Sequence, residues 1–255
     1  MSDPPTETRR GARTPSLVPA EIVDALSDGE TSTVNFMEQF ALDLDRLVEC
    51  RLPEVRPRQR LMDLSLKARL TQAGRLLAEV SPQQRLYERV ANEPDTVRAV
   101  AAFAAVHAED SGASAALVSL RPFADDPHFS VREWAWIALR DRHGDAVVDL
   151  VPDLARWAAD PSPNIRRFGS EVLRSRGVWS RHLGPVRADP EIASPVIGEL
   201  RADPHRYVQL SVGNWLNDAG KDHPRWVSDL CASWLSNQPA ASTKFICRRG
   251  LRNLR

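Results

Sequence analysis

The sequence predicts an all-α protein built from repeated helix pairs, and three observations carry this prediction. Three blocks open with the dipeptide Asp-Pro, at Asp126, Asp160 and Asp203, and their starts are 34 and 43 residues apart. That spacing is close to the period of about 40–47 residues in HEAT-type repeats. Apolar residues follow each dipeptide with helical spacing, and no alternating run is long enough to predict a strand. The predicted fold is therefore a HEAT-like helical repeat solenoid with a concave face.

The first part of the chain contains weaker signals of the same architecture. Residues 1–17 are rich in Pro, Thr, Arg and Gly and are predicted to form a disordered tail. Residues 18–255 are predicted to form a single HEAT-like repeat domain, with the clearest repeats in residues 126–255. The apolar spacing of Asn35–Leu52 predicts one long helix, capped by Asn35 with Glu38 as its capping-box partner.

The three blocks align on their first apolar helical residues, Val131, Ile165 and Val208. At about 100° per residue, the apolar positions that follow share one face of each helix, which is the predicted core. The opposite face carries Glu133, Trp136, Arg140, Arg167, Glu171, Arg174, Asn214 and Asn217, with Asp218 on its flank. Three acids on one side of three stacked helices indicate a charged functional surface. A solvated helix face is the competing interpretation for each charge taken alone.

The distribution of charge distinguishes two basic regions within a neutral protein. Net charge is +0 at pH 7, which by itself argues against a nucleic-acid partner because basic residues dominate phosphate binding. Residues 161–187, however, contain six arginines and one acid, and residues 244–255 contain five basic residues and no acid. The first fifty residues hold ten acids and four arginines. This asymmetry is typical of a basic groove, although arginines that only solubilise the surface give the same pattern.

Several other classes of protein are disfavoured by the sequence. The three cysteines are far apart and the six histidines lack zinc-type spacing, which indicates reduced thiols and no metal site. Phosphate-binding and dinucleotide-binding glycine motifs are absent, so no organic cofactor is expected. There is no apolar run of about 18 residues and no secretory signal. We therefore expect a protein of the bacterial cytoplasm or nucleoid with no membrane partner. We also expect it to be a monomer.

Four segments carry a resemblance to a known family: Val131–Arg140, Ile165–Trp179, Ser211–Pro224 and Lys244–Leu254. They resemble the HEAT-like repeat glycosylases of the DNA alkylation repair family, and are closer to its AlkC branch than to its AlkD branch. The resemblance covers roughly residues 126–255, and the run SVGNWLNDAGKDHP is its most specific part.

The resemblance implies a function in base excision repair. Members of the family hydrolyse the N-glycosidic bond of N3- or N7-alkylated purines in double-stranded DNA, so the expected enzyme is a 3-methyladenine or 7-alkylguanine type DNA glycosylase. A non-catalytic HEAT-repeat module that binds DNA structures or a protein partner is the alternative, because a fold alone does not establish activity.

The resemblance also implies which residues form the site. Asp218, Glu171 and Glu133 are the expected catalytic acids, and Trp179 and Trp136 are expected to line the lesion pocket. The expected DNA-binding residues are Arg166, Arg167, Arg174, Arg176, Lys221, Arg248, Arg249 and Arg252. The acids suit this chemistry because carboxylates stabilise an oxocarbenium-like sugar and orient water.

Overall fold

A computed structural model describes residues 9–82, 85–107, 112–177 and 179–254. The regular secondary structure of these residues is entirely helical. The all-α prediction is confirmed, and the chain has a helical repeat fold. The chain divides into two compact units, Met1–Ala105 and Val106–Arg255. The extent of a single repeat domain over residues 18–255 stays a prediction.

The first unit contains six described α-helices and two short 3-10 helices. The α-helices are α1 (Ala20–Ser27), α2 (Phe36–Ala41), α3 (Leu44–Arg51), α4 (Leu66–Val80), α5 (Leu86–Val90) and α6 (Asp95–Ala105), and the 3-10 helices are Pro15–Leu17 and Leu61–Asp63. Helix α6 is buried along its whole length and packs against α4. Gly74 permits this close approach, because a Cβ there would lie 2.4 Å from the Cβ of Phe103.

The predicted long helix Asn35–Leu52 is wrong, because the chain forms α2 and α3 with a break between them. Asp43 at the break is extended and caps α3 with its side chain. Asn35 caps α2 as predicted. Glu38, however, accepts from the backbone N–H of Val34 and not from that of Asn35. Apolar spacing alone predicted that the helix would continue through Asp43, but the side-chain cap at Asp43 begins a new helix there.

Part of the predicted disordered tail makes specific contacts in the first unit. Residues 1–8 lie outside the described residues. Beyond them, Arg9 donates to Glu38 at 2.8 Å, and Asn35 donates to the carbonyl of Ala12 at 2.8 Å. These bonds and the 3-10 helix Pro15–Leu17 hold residues 9–17 against α2.

The second unit contains nine described α-helices. They are α7 (Ala113–Ala124), α8 (Phe129–His143), α9 (Val151–Trp157), α10 (Pro163–Val172), α11 (Gly184–Ala188), α12 (Ser194–Glu199), α13 (Arg206–Ala219), α14 (Pro224–Leu235) and α15 (Ala241–Gly250). Short 3-10 helices lie at Gly144–Leu150, Pro190–Ala193, Leu200–Ala202 and Leu251–Asn253. Helix α10 packs against both α8 and α13, and α13 packs against α15. The three helices that follow the Asp-Pro dipeptides are therefore stacked side by side.

The predicted core of this stack is confirmed. Each apolar residue assigned to it is at most 2% exposed: Val131, Trp134, Ala135, Ala138, Leu139, Ile165, Phe168, Val172, Leu173, Val208, Val212, Trp215 and Leu216. Burial of large side chains such as these stabilises a protein by about 1.5–3 kcal/mol each. Helical periodicity located this face because it depends only on local spacing.

Each Asp-Pro dipeptide forms the same turn, here called the Asp-Pro turn, before α8, α10 and α13. The aspartate lies two residues before the helix N-cap and accepts the backbone N–H of the N-cap residue at 2.7–2.8 Å; the pairs are Asp126 with His128, Asp160 with Ser162, and Asp203 with His205. The N-cap side chain then accepts a backbone N–H of the first helical turn. The aspartates therefore order the turn, and the residue two positions later caps the helix.

A second bond set recurs at the sixth position after each aspartate. The side chains of Arg132, Arg166 and Gln209 donate to the carbonyls of the preceding Asp-Pro dipeptide at 2.6–3.2 Å. The bonds to the aspartate carbonyls are buried or partly buried, and these carbonyls would otherwise lack helical partners. The sixth-position side chain is thus a structural part of each repeat.

Candidate active site

Six ionic side chains form a continuous alternating row across α8, α10 and α13, here called the charge line. In order they are Glu133, Arg167, Glu171, Arg174, Asp218 and Lys221, and successive members approach within 2.5, 3.0, 3.2, 2.5 and 2.8 Å. All three predicted catalytic acids belong to this line. The structure therefore joins residues that are up to 88 positions apart in the sequence into one electrostatic unit.

Glu171 lies at the centre of the charge line and is the most buried of its acids, with 3% of its side chain exposed. One carboxylate oxygen accepts from Ser211 at 2.7 Å and also contacts Arg167, and the other accepts from Arg174. Burial alone would raise the pKa of this carboxyl, but Arg167 and Arg174 outweigh burial and hold it below its ordinary value of 4.5. Glu171 is therefore an anion at neutral pH.

Asp218 is the last acid of the charge line and lies near the C-terminal end of α13. Its two carboxylate oxygens accept from different partners, one from Arg174 and the other from Lys221 at 2.8 Å. About 10% of its side chain is exposed, so it is closer to solvent than Glu171. Lys221 itself is half exposed. The charge line therefore ends beside Asp218 in a cation that is accessible to solvent.

Glu133 begins the line on α8 and connects it to Trp136. The indole N–H of Trp136 donates to Glu133 at 2.9 Å, and the other carboxylate oxygen pairs with Arg167. Trp136 is only 3% exposed, although the sequence placed it on the open face. That placement is wrong because α8 is packed by α7 on one side and α10 on another. As placed, Trp136 orients Glu133.

Trp179 lies on the segment between α10 and α11 and is 36% exposed. Two sets of bonds hold this segment. The backbone N–H of Leu183 donates to the backbone carbonyl of Ser175, and the Arg140 side chain donates to the backbone carbonyls of Arg174 and Arg181. Arg140 is 5% exposed, so it too lies inside and not on the open face predicted for it. Trp179 therefore projects from a closed loop that begins at the charge line.

Two of the predicted DNA-binding arginines make ion pairs outside the charge line. Arg166 forms a bidentate pair with Asp203 at 2.6 and 3.1 Å, in addition to its bonds to its own Asp-Pro turn. Arg176 pairs with Asp222 at 2.7 and 2.8 Å, and Asp222 is shared with Arg187. Opposite charges on neighbouring repeats attract these guanidinium groups away from solvent. Arg166 thus ties α10 to the next Asp-Pro turn.

Arg167 and Arg174 are inside the charge line, and Arg167 has an additional aromatic partner. Its guanidinium lies 4.3 Å from the ring centroid of Tyr207, on which Arg132 also stacks at 5.2 Å. Such cation–π contact stabilises a partly buried cation. Tyr207 and Ser211 were not predicted to belong to this site. A signal for Ser211 was nevertheless present, because it begins the run SVGNWLNDAGKDHP.

The basic residues at the end of the chain are the more accessible cations. Arg249 donates to Asn214 at 3.0 Å, Arg252 lies beside the same amide, and Arg248 is exposed next to Phe245. Burial and the neighbouring charge of Arg249 lower the pKa of Arg252. The exposed guanidinium groups therefore form a positive edge along α15, which packs against the charge-line helix α13.

Within residues 9–82, 85–107, 112–177 and 179–254, no group of three metal-ligating side chains comes together. The three thiols are free, with Cys231 and Cys247 buried. No described helix is long and apolar enough to cross a membrane.

Comparison with known proteins shows the family of the chain. Residues 91–254 match the family described as DNA alkylation repair enzyme, so the match begins upstream of the segments recognised in the sequence. YhaZ of Bacillus subtilis (strain 168), an uncharacterized protein, is 30% identical over 105 residues, which are 41% of this chain and 29% of YhaZ. The chain thus spans less than a third of the length of YhaZ.

A solved structure has a similar fold. It is the Pseudomonas fluorescens alkylpurine DNA glycosylase AlkC bound to DNA that contains an abasic site analog. The TM-score is 0.66 at 23% identity, and the similarity covers 96% of this chain and 65% of AlkC. At this identity the similarity establishes the helical repeat fold.

Proposed function

Because the chain belongs to the DNA alkylation repair enzyme family, we propose that it is a DNA glycosylase for cationic alkylated purines. Its substrates are N3- and N7-alkylated purines in duplex DNA, and its reaction is hydrolysis of the N-glycosidic bond. The observation that carries the proposal is the charge line, which brings three carboxylates from three stacked helices into one chain of ion pairs.

The electrostatics of the line match the chemistry of this substrate class. An alkylated purine is already cationic, so it leaves without being protonated by the protein. Positive charge then develops on the sugar, and preorganised carboxylates stabilise it most effectively when they stay ionised. The low pKa of Glu171 suits a permanent anion and not a general acid. The reaction consumes one water and needs no organic cofactor.

The different partners of the three acids suggest a division of roles. Glu133 has the largest exposed fraction, 19%, but its two oxygens are held by Arg167 and by the indole of Trp136. Asp218 has half-exposed Lys221 as a partner, so it is the best candidate to contact the sugar and orient the water. Glu171 is enclosed and fixes Arg174, which in turn positions Asp218. Glu133 assists by anchoring Arg167. The proposal thus assigns substrate contact to Asp218 and positioning to the two glutamates.

DNA contact is assigned to the accessible cations and to Trp179. Arg248, Arg249, Arg252 and Lys221 would hold phosphates, because they are less enclosed than the arginines of the charge line. The exposed indole of Trp179 would lie against the cationic base or the sugar. Arg166 and Arg176 are assigned to the scaffold instead, because both are engaged in bidentate pairs.

The test is release of N3-methyladenine and N7-methylguanine from methylated duplex DNA by the wild type, Asp218→Asn and Asp229→Asn. Asp229 is an exposed acid on α14 and serves as the matched control. We expect Asp218→Asn to lose about 100-fold or more in the single-turnover rate, the effect of removing one preorganised electrostatic group. Asp229→Asn should behave as the wild type, and DNA affinity measured over a salt series should be retained by both.

A non-catalytic DNA-binding module is the second candidate, because every carboxylate of the charge line already has an ionic partner inside the protein. Salt-sensitive DNA binding with no base release by the wild type would favour that module. Base release that is unchanged in Asp218→Asn would instead leave a glycosylase with a different catalytic acid.

A further inference from the structure

A cavity of about 330 Å³ lies in the second unit, between the C-terminal end of α8 and the segment before α11. Its walls include Arg140, Asp141, Asp145, Ser180, Arg181 and His182. None of these residues is a member of the charge line or of the assigned DNA contacts. The cavity is therefore a feature that the proposed chemistry leaves unexplained.

Arg140 forms the inner wall of the cavity and carries a buried charge that no carboxylate neutralises directly. It is 5% exposed and pairs with none of the described acids, although Asp145 and Glu171 offset its charge from a greater distance. Two of its five N–H donors are used by the carbonyls of Arg174 and Arg181. Burial, followed by the nearby charge of Arg174, lowers its pKa to about 10. An anion in the cavity would relieve this cost.

The other wall supplies an unused donor and further positive charge. The Ser180 hydroxyl is buried and has no hydrogen-bond partner among the described residues. Arg181 and His182 follow it, and both are exposed. Asp141 and Asp145 also line the cavity, but both are exposed and Asp145 accepts the backbone N–H of Gly184. Water screens exposed carboxylates far more than it screens buried Arg140.

We propose that this cavity is an anion site that binds a phosphate group, with Arg140 and Ser180 as its inner donors. A planar guanidinium with free N–H groups is the side chain best suited to phosphate oxygens. The phosphate is either a phosphodiester of bound DNA or free inorganic phosphate. The first source rests on the proposed function, because DNA is the substrate proposed there, and Arg140 also holds the backbone of Arg174 in the charge line. Binding of inorganic phosphate does not rest on the proposed function.

The first experiment compares thermal unfolding in phosphate and in chloride at equal ionic strength. It uses the wild type, Arg140→Met and Arg142→Met; Arg142 is an exposed arginine on the same turn of α8 and is the control. For the wild type and Arg142→Met we expect saturating phosphate to raise the midpoint by about 3 °C or more. Arg140→Met should not respond. No response by the wild type, or an equal response by all three, would overturn the proposal.

A second variant leaves Arg140 and its backbone bonds in place. Ser180→Asp puts a carboxylate in the cavity, where it would pair with Arg140 and occupy the anion site. Its midpoint in chloride should exceed that of the wild type, and its response to phosphate should be lost. A full phosphate response by Ser180→Asp would contradict the assignment even if Arg140→Met fails to fold.

The third arm identifies the source of the phosphate. Affinity for a duplex with an abasic-site analogue is measured while phosphate replaces chloride at constant ionic strength. If a DNA phosphodiester occupies the cavity, phosphate should weaken binding by the wild type about tenfold but leave Ser180→Asp unaffected. If inorganic phosphate is the ligand, DNA affinity should not change while the thermal response persists. Neither arm requires base excision, so the site and the glycosylase activity succeed or fail separately.

Discussion

The Asp-Pro turns that precede α8, α10 and α13 and the charge line that crosses these helices use the same residue types in different ways. At the N-terminal ends, the Asp-Pro turns repeat one bonding pattern, in which the aspartate orders the turn and the sixth-position side chain holds its carbonyls. Further along the helices, the charge line contains no such repetition. Each of its acids has a different set of partners.

The positions of the acids make the same contrast. Glu133, Glu171 and Asp218 lie two, six and ten residues after the aligned origins of their helices. Each acid is therefore about one helical turn further along than the acid on the preceding helix, so the charge line crosses the stack diagonally. A pattern that recurs in register in every repeat maintains the fold. A pattern that changes from repeat to repeat is the better candidate for function.

The largest expected effect that separates the two regions is that of Glu171→Gln. It leaves Arg167 and Arg174 without their shared anion, so we expect a loss of about 3 kcal/mol in the free energy of unfolding. Excision should also fall about 100-fold, because Asp218 loses its positioning. Urea unfolding and single-turnover base release measure the two effects. Exposed Glu199 gives the control Glu199→Gln, which should change neither.

A smaller effect, confined to stability, is expected from Arg166→Met. The change removes the pair with Asp203 and the bonds to the Asp-Pro turn, which should cost about 2 kcal/mol in urea unfolding. Base release per folded molecule and DNA affinity should be unchanged. If Arg166→Met lowered DNA affinity more than Arg142→Met, the exposed control, Arg166 would be shown to contact DNA.

The pKa of Glu171 predicts how the charge line responds to acid. Because its folded pKa is below 4.5, the ion pairs contribute stability that is present above the unfolded pKa and is lost as pH falls through the folded pKa. The stability difference between the wild type and Glu171→Gln should therefore stay constant above about pH 5 and shrink below it. Urea unfolding at pH 7 and at pH 4 tests this, and a difference that grows in acid would oppose it.

The smallest expected effect is that of Gln209→Arg, which gives the third Asp-Pro turn the residue found in the other two. An arginine there can donate to the same two carbonyls, so stability should change by less than about 1 kcal/mol. DNA affinity should stay within twofold. A large gain in affinity would show that the sixth position faces DNA.

Local spacing predicted much of the fold in the second unit. The apolar faces around Trp134, Phe168 and Trp215 are buried as expected, because helical periodicity requires no knowledge of the neighbouring helix. The same reasoning failed for Trp136, since a helix packed on two sides buries residues that lie opposite each other. It also continued a helix past Asp43, where a side-chain cap ends it.

The acids of the candidate site were found from their shared face and the family resemblance, but their pairing was not. Whether Arg174 meets Asp218, and Arg166 meets Asp203, depends on how adjacent helices slide against each other. Local sequence does not determine that register. One further signal is present in the sequence. An arginine or glutamine lies six residues after each Asp-Pro aspartate, and its side chain donates to the carbonyls of the Asp-Pro turn. Arg140 gave no such signal, since its partners are backbone carbonyls more than thirty residues away.

The most direct test compares one residue from each region in the same assay. Single-turnover release of N7-methylguanine from duplex DNA is measured for Asp218→Asn and Arg166→Met, with rates corrected for the folded fraction. If the charge line is catalytic and the Asp-Pro turns are scaffold, Asp218→Asn should lose about 100-fold or more and Arg166→Met should stay within about threefold of the wild type. Equal losses in the two variants, or a larger loss in Arg166→Met, would contradict this division.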